Sequence, residues 1–231
     1  MSVDFSGTLT SPTEVVDPER TWRSYLDALV DSGQLSAVVA DLRLRALLAG
    51  EGRSWTACVD HGESYSIARI LHEAHVPVAE AAMESFREAF SQHMLLTPSA
   101  REALEDLQRA GVAVVLLSNS LWPRDWFVRA LTEQGVIGSF DAIVVSSETP
   151  YCKPNPAVFA IAMAELKANA NETVHIGDRA FEDVKGGLSA GMRVIHFGEH
   201  RIDSDQGGRL RGMNNWAELP ESLTNWPANE L

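Results

Sequence analysis

The feature that most constrains this chain is a change of periodicity near position 97. From about Pro12 to Met94 apolar residues recur at helical spacing, whereas from Thr97 onward short apolar runs alternate with helical segments. The first pattern predicts an all-helical unit; the second predicts βα units and a parallel sheet. Ahead of both, Val3-Asp4 reads as the end of a strand. Only three residues precede Asp4, fewer than the ~5–6 of an ordinary strand, so the first strand is expected to be clipped or the true start to lie upstream.

Within the helical stretch, Trp22, Tyr25, Leu26, Leu29 and Val30 form one amphipathic face. Leu35, Val38, Val39, Leu42, Ala46 and Leu47 continue it until Gly50. Residues 50–62 read as a polar loop carrying Trp55 and His61, followed by helices over 64–74 and 78–90 that Val76-Pro77 separates. Downstream, Thr97-Pro98 opens a helix that Gly111 stops. Strands are expected over 112–117, 142–145, 174–176 and 193–197. Helices are expected over 126–134, from Asn155-Pro156, and over 181–190. The polar, Gly-rich residues 199–212 read as a loop before a last helix over 216–223.

Composition narrows the partners. With 45% hydrophobic residues in 231, the chain can bury one core, or a core plus a smaller insert. A net charge of −13 with 19 Lys+Arg argues against nucleic acid and against an anionic membrane surface. No apolar run approaches the ~20 residues of a membrane span, and no leader pattern opens the chain, so a cytoplasmic protein acting on a small molecule is expected. Monomer and homodimer stay equally open. Cys58 and Cys152 lack metal-ligand spacing and read as separate packing or surface residues.

Four chemistry-bearing residues sit where strands should end: Asp4, Ser118, Lys153 and Asp178. Ligands bind outside the carboxyl ends of strands in an open α/β sheet, so these residues can converge on one site. Each alone has an ordinary reading, since a strand-end Asp or Ser often caps the next helix. Lys153, however, is the first lysine in the entire chain.

Read in order, the segments resemble the four motifs of the haloacid dehalogenase-like hydrolase superfamily. Asp4-Phe5-Ser6-Gly7-Thr8-Leu9 resembles the first, Leu116-Leu117-Ser118-Asn119 the second, and Lys153-Pro154-Asn155-Pro156 the third. The run Ile176-Gly177-Asp178-Arg179-Ala180-Phe181-Glu182-Asp183 resembles the fourth. The resemblance implies a Rossmann-like α/β core with an open parallel sheet and helices on both faces, spanning residues 1–11 and 95–231. A small all-helical cap, residues 12–94, would be inserted after strand one. It also implies a phosphatase in which Asp4 is the nucleophile. Mg²⁺ would be held by Asp4, Asp178 and the Ser6 carbonyl, with Asp183 close by to orient a metal-bound water. Lys153, Ser118, Asn119 and the Gly7-Thr8 turn would hold the phosphoryl oxygens.

One position departs from the family pattern: Ser6 stands where its phosphatases carry a second aspartate as general acid and base. A serine hydroxyl is no proton reservoir near neutral pH, so turnover should be slow. The absence of any lysine before Lys153 excludes a Schiff-base lysine in the cap. A metal-free 2-haloacid dehalogenase using Asp4 is the second reading, weakened by Asp178, whose charge such a site would not use. A degenerate, ligand-binding member is the third. In the cap, Trp22, Arg23, Arg53, Trp55, His61 and Tyr65 are candidate substrate contacts, because aromatic rings and arginines bind substrate groups; His175 and His196 read as core histidines.

Overall fold

The computed structural model describes residues 1–11, 17–198, 208–224 and 226. Among these, six strands form one sheet: β1 (Ser2–Val3), β2 (Val115–Ser118), β3 (Ala142–Val145), β4 (Val174–Gly177), β5 (Arg193–Phe197) and β6 (Leu210–Met213). Every pairing is parallel and the spatial order is β3-β2-β1-β4-β5-β6. Val115, Leu116 and Leu117 are all buried, as a strand covered by helices on both faces requires. The order of connection reverses between β1 and β4, which places the ligand crevice of such a sheet at the carboxyl ends of these two strands. β1 has two residues, and the Asp4 amide extends its pairing by donating to the Ile176 carbonyl at 2.9 Å.

Helices α1 (Pro18–Asp31), α2 (Ala37–His61), α3 (Ile67–Glu73) and α4 (Glu80–Phe90) follow β1 and form an insert. The chain leaves and re-enters the sheet domain side by side: Thr10 bridges Leu96, and the Thr97 amide donates to the Leu9 carbonyl at 3.0 Å. Helices α5 (Pro98–Arg109), α6 (Arg124–Glu133), α7 (Pro156–Leu166), α8 (Gly186–Ser189) and α9 (Leu219–Leu223) flank the sheet. Thr97 caps α5 through the Ala100 amide and Asn155 caps α7 through the Ala157 amide, each with Pro at the first helical position.

The insert shares a core with the sheet domain. Phe86 packs on Trp22 (4.7 Å between ring centroids) and on Trp122 (4.6 Å). Phe90 adds a second contact to Trp122 at 4.9 Å. Trp122 stacks on Trp126 at 5.3 Å, so one aromatic seam runs from the centre of the insert to the face of α6.

Several elements differ from the sequence expectation. Residues 50–62 are not a loop, because α2 runs unbroken to His61. Gly50 lies in a buried stretch where an added Cβ would stand 3.1 Å from Ile70 Cγ2, so glycine lets α3 approach closely and does not end the helix. The stop is Gly62, at φ +63° in the left-handed region. Val38 (73% exposed) and Leu42 (64%) lie off the buried stripe that the periodicity suggested; the α2 face that packs inward carries Ala40, Leu44 and Leu47. The expected helix over 181–190 opens as a π-helix, Ala180–Lys185, before α8. Leu210–Met213, read as loop, is the edge strand β6, held by its ladder to β5. The remainder of that loop, residues 199–207, and residues 12–16 of the insert lie outside the described residues. Cys58 and Cys152 are not separate: they form a disulfide with Cα atoms 6.1 Å apart, tying α2 to the segment that leads into Lys153.

Phe86 is fully buried among four aromatic rings, Trp22, Tyr25, Trp122 and Trp126, so Phe86→Ala should leave a void that the seam cannot close. The expected cost is about 3–5 kcal/mol, read as a lower urea midpoint at unchanged slope.

Candidate active site

Four strand ends and loops bring the expected residues together. Asp4 follows β1, Ser118 ends β2, Lys153 precedes α7, and Asp178 follows β4. Lys153 Nζ lies 2.5 Å from Asp4 Oδ1 and 2.6 Å from Asp183 Oδ1, and all three side chains are buried. Asp4, Asp178 and Asp183 each offer a carboxylate oxygen within 4.8 Å of the others. A cavity of about 1290 Å³ opens over them, walled by the strand ends below and by Leu48, Glu51, Trp55 and Tyr65 of the insert above.

The backbone is shaped for this crowding. Gly7 sits at φ +79°, and a Cβ there would be 2.5 Å from Asp178 Oδ2. At Gly177 a Cβ would be 2.2 Å from Asp183 Cγ. Glycine at both positions lets two carboxylates lie against main chain. The Thr8 hydroxyl donates to Asp178 Oδ1 at 3.4 Å, and the Trp216 indole donates to the Thr8 carbonyl at 3.0 Å, anchoring the turn from below. Asn119 lines the cavity, but its amide serves the lysine loop: Nδ2 donates to the Lys153 carbonyl (2.8 Å) and Oδ1 accepts the Lys153 amide (2.7 Å). Ser6 is exposed on the cavity wall and Ser118 is buried beneath it.

The electrostatics follow from three acids sharing one ammonium. Burial pushes Asp4 up to about 6; Lys153 opposes that shift, while Asp183 and Asp178 reinforce it. Asp178 is also raised, by burial and by Asp183. Burial disfavours the Asp183 carboxylate too, but Lys153 and a hydrogen bond from His175 outweigh it and hold Asp183 below the usual carboxylate range. Desolvation alone would lower Lys153; Asp183 and Asp4 reverse this and keep it protonated.

The candidate substrate residues of the insert divide. Trp55 and Tyr65 line the cavity. Trp22 does not: it is fully buried in the aromatic centre of the insert and donates its indole N–H to Glu51 at 2.6 Å. Arg23 pairs with Glu19 and Asp41 on the outer surface, and Arg53 pairs with Glu73 at 3.5 Å. His61 is exposed at the end of α2 and does not line the cavity. Helical phase decides these outcomes, because only one face of each insert helix looks toward the strand ends. The sequence reading passed over Glu51, whose carboxyl is raised by burial at the cavity wall. It also passed over Arg179, whose guanidinium lies 4.8 Å over the Trp55 ring. Arg179 directly follows Asp178, so its place was readable from motif four; Glu51 was hidden by the expected loop.

Comparison with known proteins agrees with this geometry. The family described as haloacid dehalogenase-like hydrolase matches residues 2–191. A phosphoglycolate phosphatase of Pseudomonas savastanoi is 31% identical over 72% of this chain and 64% of its own length. A ribulose-1,5-bisphosphate 5-phosphatase of Halopiger xanaduensis is 29% identical over 52% of this chain and 49% of its own. The chain thus spans between about half and two thirds of the length of these relatives. Among solved structures, an HAD phosphatase from Thermococcus onnurineus superposes with a TM-score of 0.67 at 19% identity, covering 96% of both chains. A 2-haloacid dehalogenase from Pseudomonas syringae superposes at 0.66 and 22%, covering 98% of both, so the two share this fold. The strand-end aspartate, the buried lysine, the acid pair of the fourth segment and the family match over most of the chain have one reading: this protein belongs to the haloacid dehalogenase-like hydrolases.

Proposed function

We propose that the protein is a Mg²⁺-dependent phosphatase that hydrolyses a small phosphate monoester through a phosphoaspartyl intermediate on Asp4. The observation that carries this reading is a charge imbalance. Three buried or half-buried carboxylates face one ammonium, leaving two negative charges uncompensated at a cavity floor. A divalent cation balances that deficit, and an all-oxygen donor set of Asp4, Asp178 and the Ser6 main chain suits Mg²⁺. Bound there, the ion neutralises phosphoryl oxygens and screens their repulsion of the Asp4 carboxylate.

The chain's own residues account for the remaining steps. Lys153, fixed by Asp183 and by the Asn119 bonds to its main chain, holds one Asp4 oxygen in place and presents its charge to the phosphoryl group. Asp4 forms a bond to phosphorus as the ester P–O bond breaks, and the leaving alcohol takes its proton from solvent. Ser118 and the amides of the Gly7-Thr8 turn donate to the phosphoryl oxygens, and Asp183 would help orient the attacking water; its attack on phosphorus breaks the Asp4–phosphorus bond, releases phosphate with the water's proton passing to solvent, and restores the Asp4 carboxylate. Helices α1–α4 act as a cap that covers the cavity and excludes bulk water, with Trp55 and Tyr65 against the leaving group. Ser6 cannot relay protons as a carboxylate at that position would, so both half-reactions are slow.

The phosphatase names of the curated relatives support this reading. A dehalogenase shares the fold, but a metal-free attack on carbon gains nothing from Asp178 beside Asp4. A screen of phosphate esters and 2-haloacids, with Mg²⁺ and with EDTA, separates the two. Phosphate release that disappears with EDTA is expected, and metal-independent halide release would overturn the assignment. Asp4→Asn should abolish p-nitrophenyl phosphate turnover, whereas undiminished activity would exclude Asp4 as nucleophile. Ser6→Asp should raise kcat at least about tenfold by supplying the missing acid and base; no gain would show that proton transfer is served from elsewhere.

A further inference from the structure

The apolar run of β4 is interrupted by a histidine that the proposed chemistry does not use. His175 is fully buried on one of the two central strands of the sheet, directly across the ladder from Ser2 of β1. Its Nδ1 lies 3.0 Å from the Ser2 hydroxyl and its Nε2 lies 2.9 Å from Asp183 Oδ1. An ionised carboxylate only accepts hydrogen bonds, so Nε2 carries the proton that points at Asp183. In the neutral ring Nδ1 then accepts from the Ser2 hydroxyl. The ring is held on its other sides by Phe159, edge-on at 5.1 Å between centroids, and by Gly187, where a Cβ would come within 3.5 Å of His175 Cβ.

Asp183 has three donors. Lys153 reaches it on a flexible four-carbon stem, and the Arg179 amide (3.0 Å to Oδ2) belongs to the turn after β4. His175 alone among the three donates from within the sheet. Asp183 itself sits in the π-helix, where the Asp183 and Val184 amides both donate to the Arg179 carbonyl. We propose that His175 is a positioning residue for phosphoryl transfer. Backed by Ser2, it fixes Asp183 Oδ1, and Asp183 in turn fixes the Lys153 ammonium against Asp4. A fully buried imidazole needs a partner at each nitrogen, and the Ser2 hydroxyl and the Asp183 carboxylate supply both.

This inference rests on the phosphatase reading, and the test keeps the two apart. His175→Gln places an amide N–H close to the position of Nε2 and keeps a donor toward Asp183. His175→Asn places one near Nδ1 and does not reach Asp183. With the Mg²⁺-loaded enzyme and p-nitrophenyl phosphate, kcat should fall ten- to a hundredfold in His175→Asn and less than about threefold in His175→Gln, with KM changing little in either. Equal losses in the two variants, full kcat in both, or a loss confined to KM would overturn the proposal. A measurement on the unmodified protein covers the case in which a variant does not fold: the imidazole ¹⁵N spectrum should show a protonated Nε2 in slow exchange with solvent, and an Nδ1–H tautomer would refute the contact. Failure of the wild type to release phosphate from any ester sinks the phosphatase reading, and the tautomer then judges the His175–Asp183 bond independently.

Discussion

The interaction on which the rest of the structure depends is the ammonium of Lys153, buried between Asp4 and Asp183. It joins three parts of the chain that are distant in sequence: the end of β1, the loop before α7, and the helix that follows β4. A charge in so dry a place is tolerated only with close partners, and removing one partner of such a pair costs about 3–5 kcal/mol because the other is left uncompensated. The pairing therefore dictates local backbone. Gly7 and Gly177 are glycines because the acids that Lys153 and its neighbours organise press directly on their main chain. Asn119, in turn, is bonded to the lysine's peptide groups, so the second strand also takes part in aiming the ammonium.

That arrangement is costly, and the apolar frame around it bears the cost. β2, β3 and the first part of β4 are lined with aliphatic side chains, and the site sits at one end of this sheet where the connections reverse. The Asp4 carboxyl, raised to about 6, records its burial first and then, against the opposing pull of Lys153, the like charges of Asp183 and Asp178. The excess of acids over the single lysine is what the proposed divalent cation would balance.

The insert meets the sheet domain in two different ways. Along one side an aromatic seam of Phe86, Phe90, Trp122 and Trp126 excludes water; above the strand ends the surfaces part and leave the cavity. The Cys58–Cys152 link lies at the border between the two, immediately beside the lysine. The insert's wall of the cavity is thus built from helix faces whose phase is set by packing elsewhere, which is why Trp55 faces the cavity while Trp22, on a neighbouring helix, fills the core.

The sequence by itself determined the parallel sheet, the helical character of the stretch before Thr97 and the four segments that meet at the strand ends, because each rests on short-range chemistry. Apolar runs make buried strands; Thr97-Pro98 and Asn155-Pro156 make helix starts; Gly-Asp after a strand makes an acid at the strand's carboxyl end. Only the tertiary structure decided what depends on approach between distant elements. Gly50 reads as a stop until α3 is seen packing against it, and Leu210–Met213 becomes a strand only because β5 offers an open edge. Cys58 and Cys152 reveal no partnership across 94 positions. His175 reads as one more core residue until Ser2 and Asp183 are found at its two nitrogens. The physical reason is common to all of these: a hydrogen bond, a ladder or a close contact is a property of two surfaces, and a linear pattern describes one at a time.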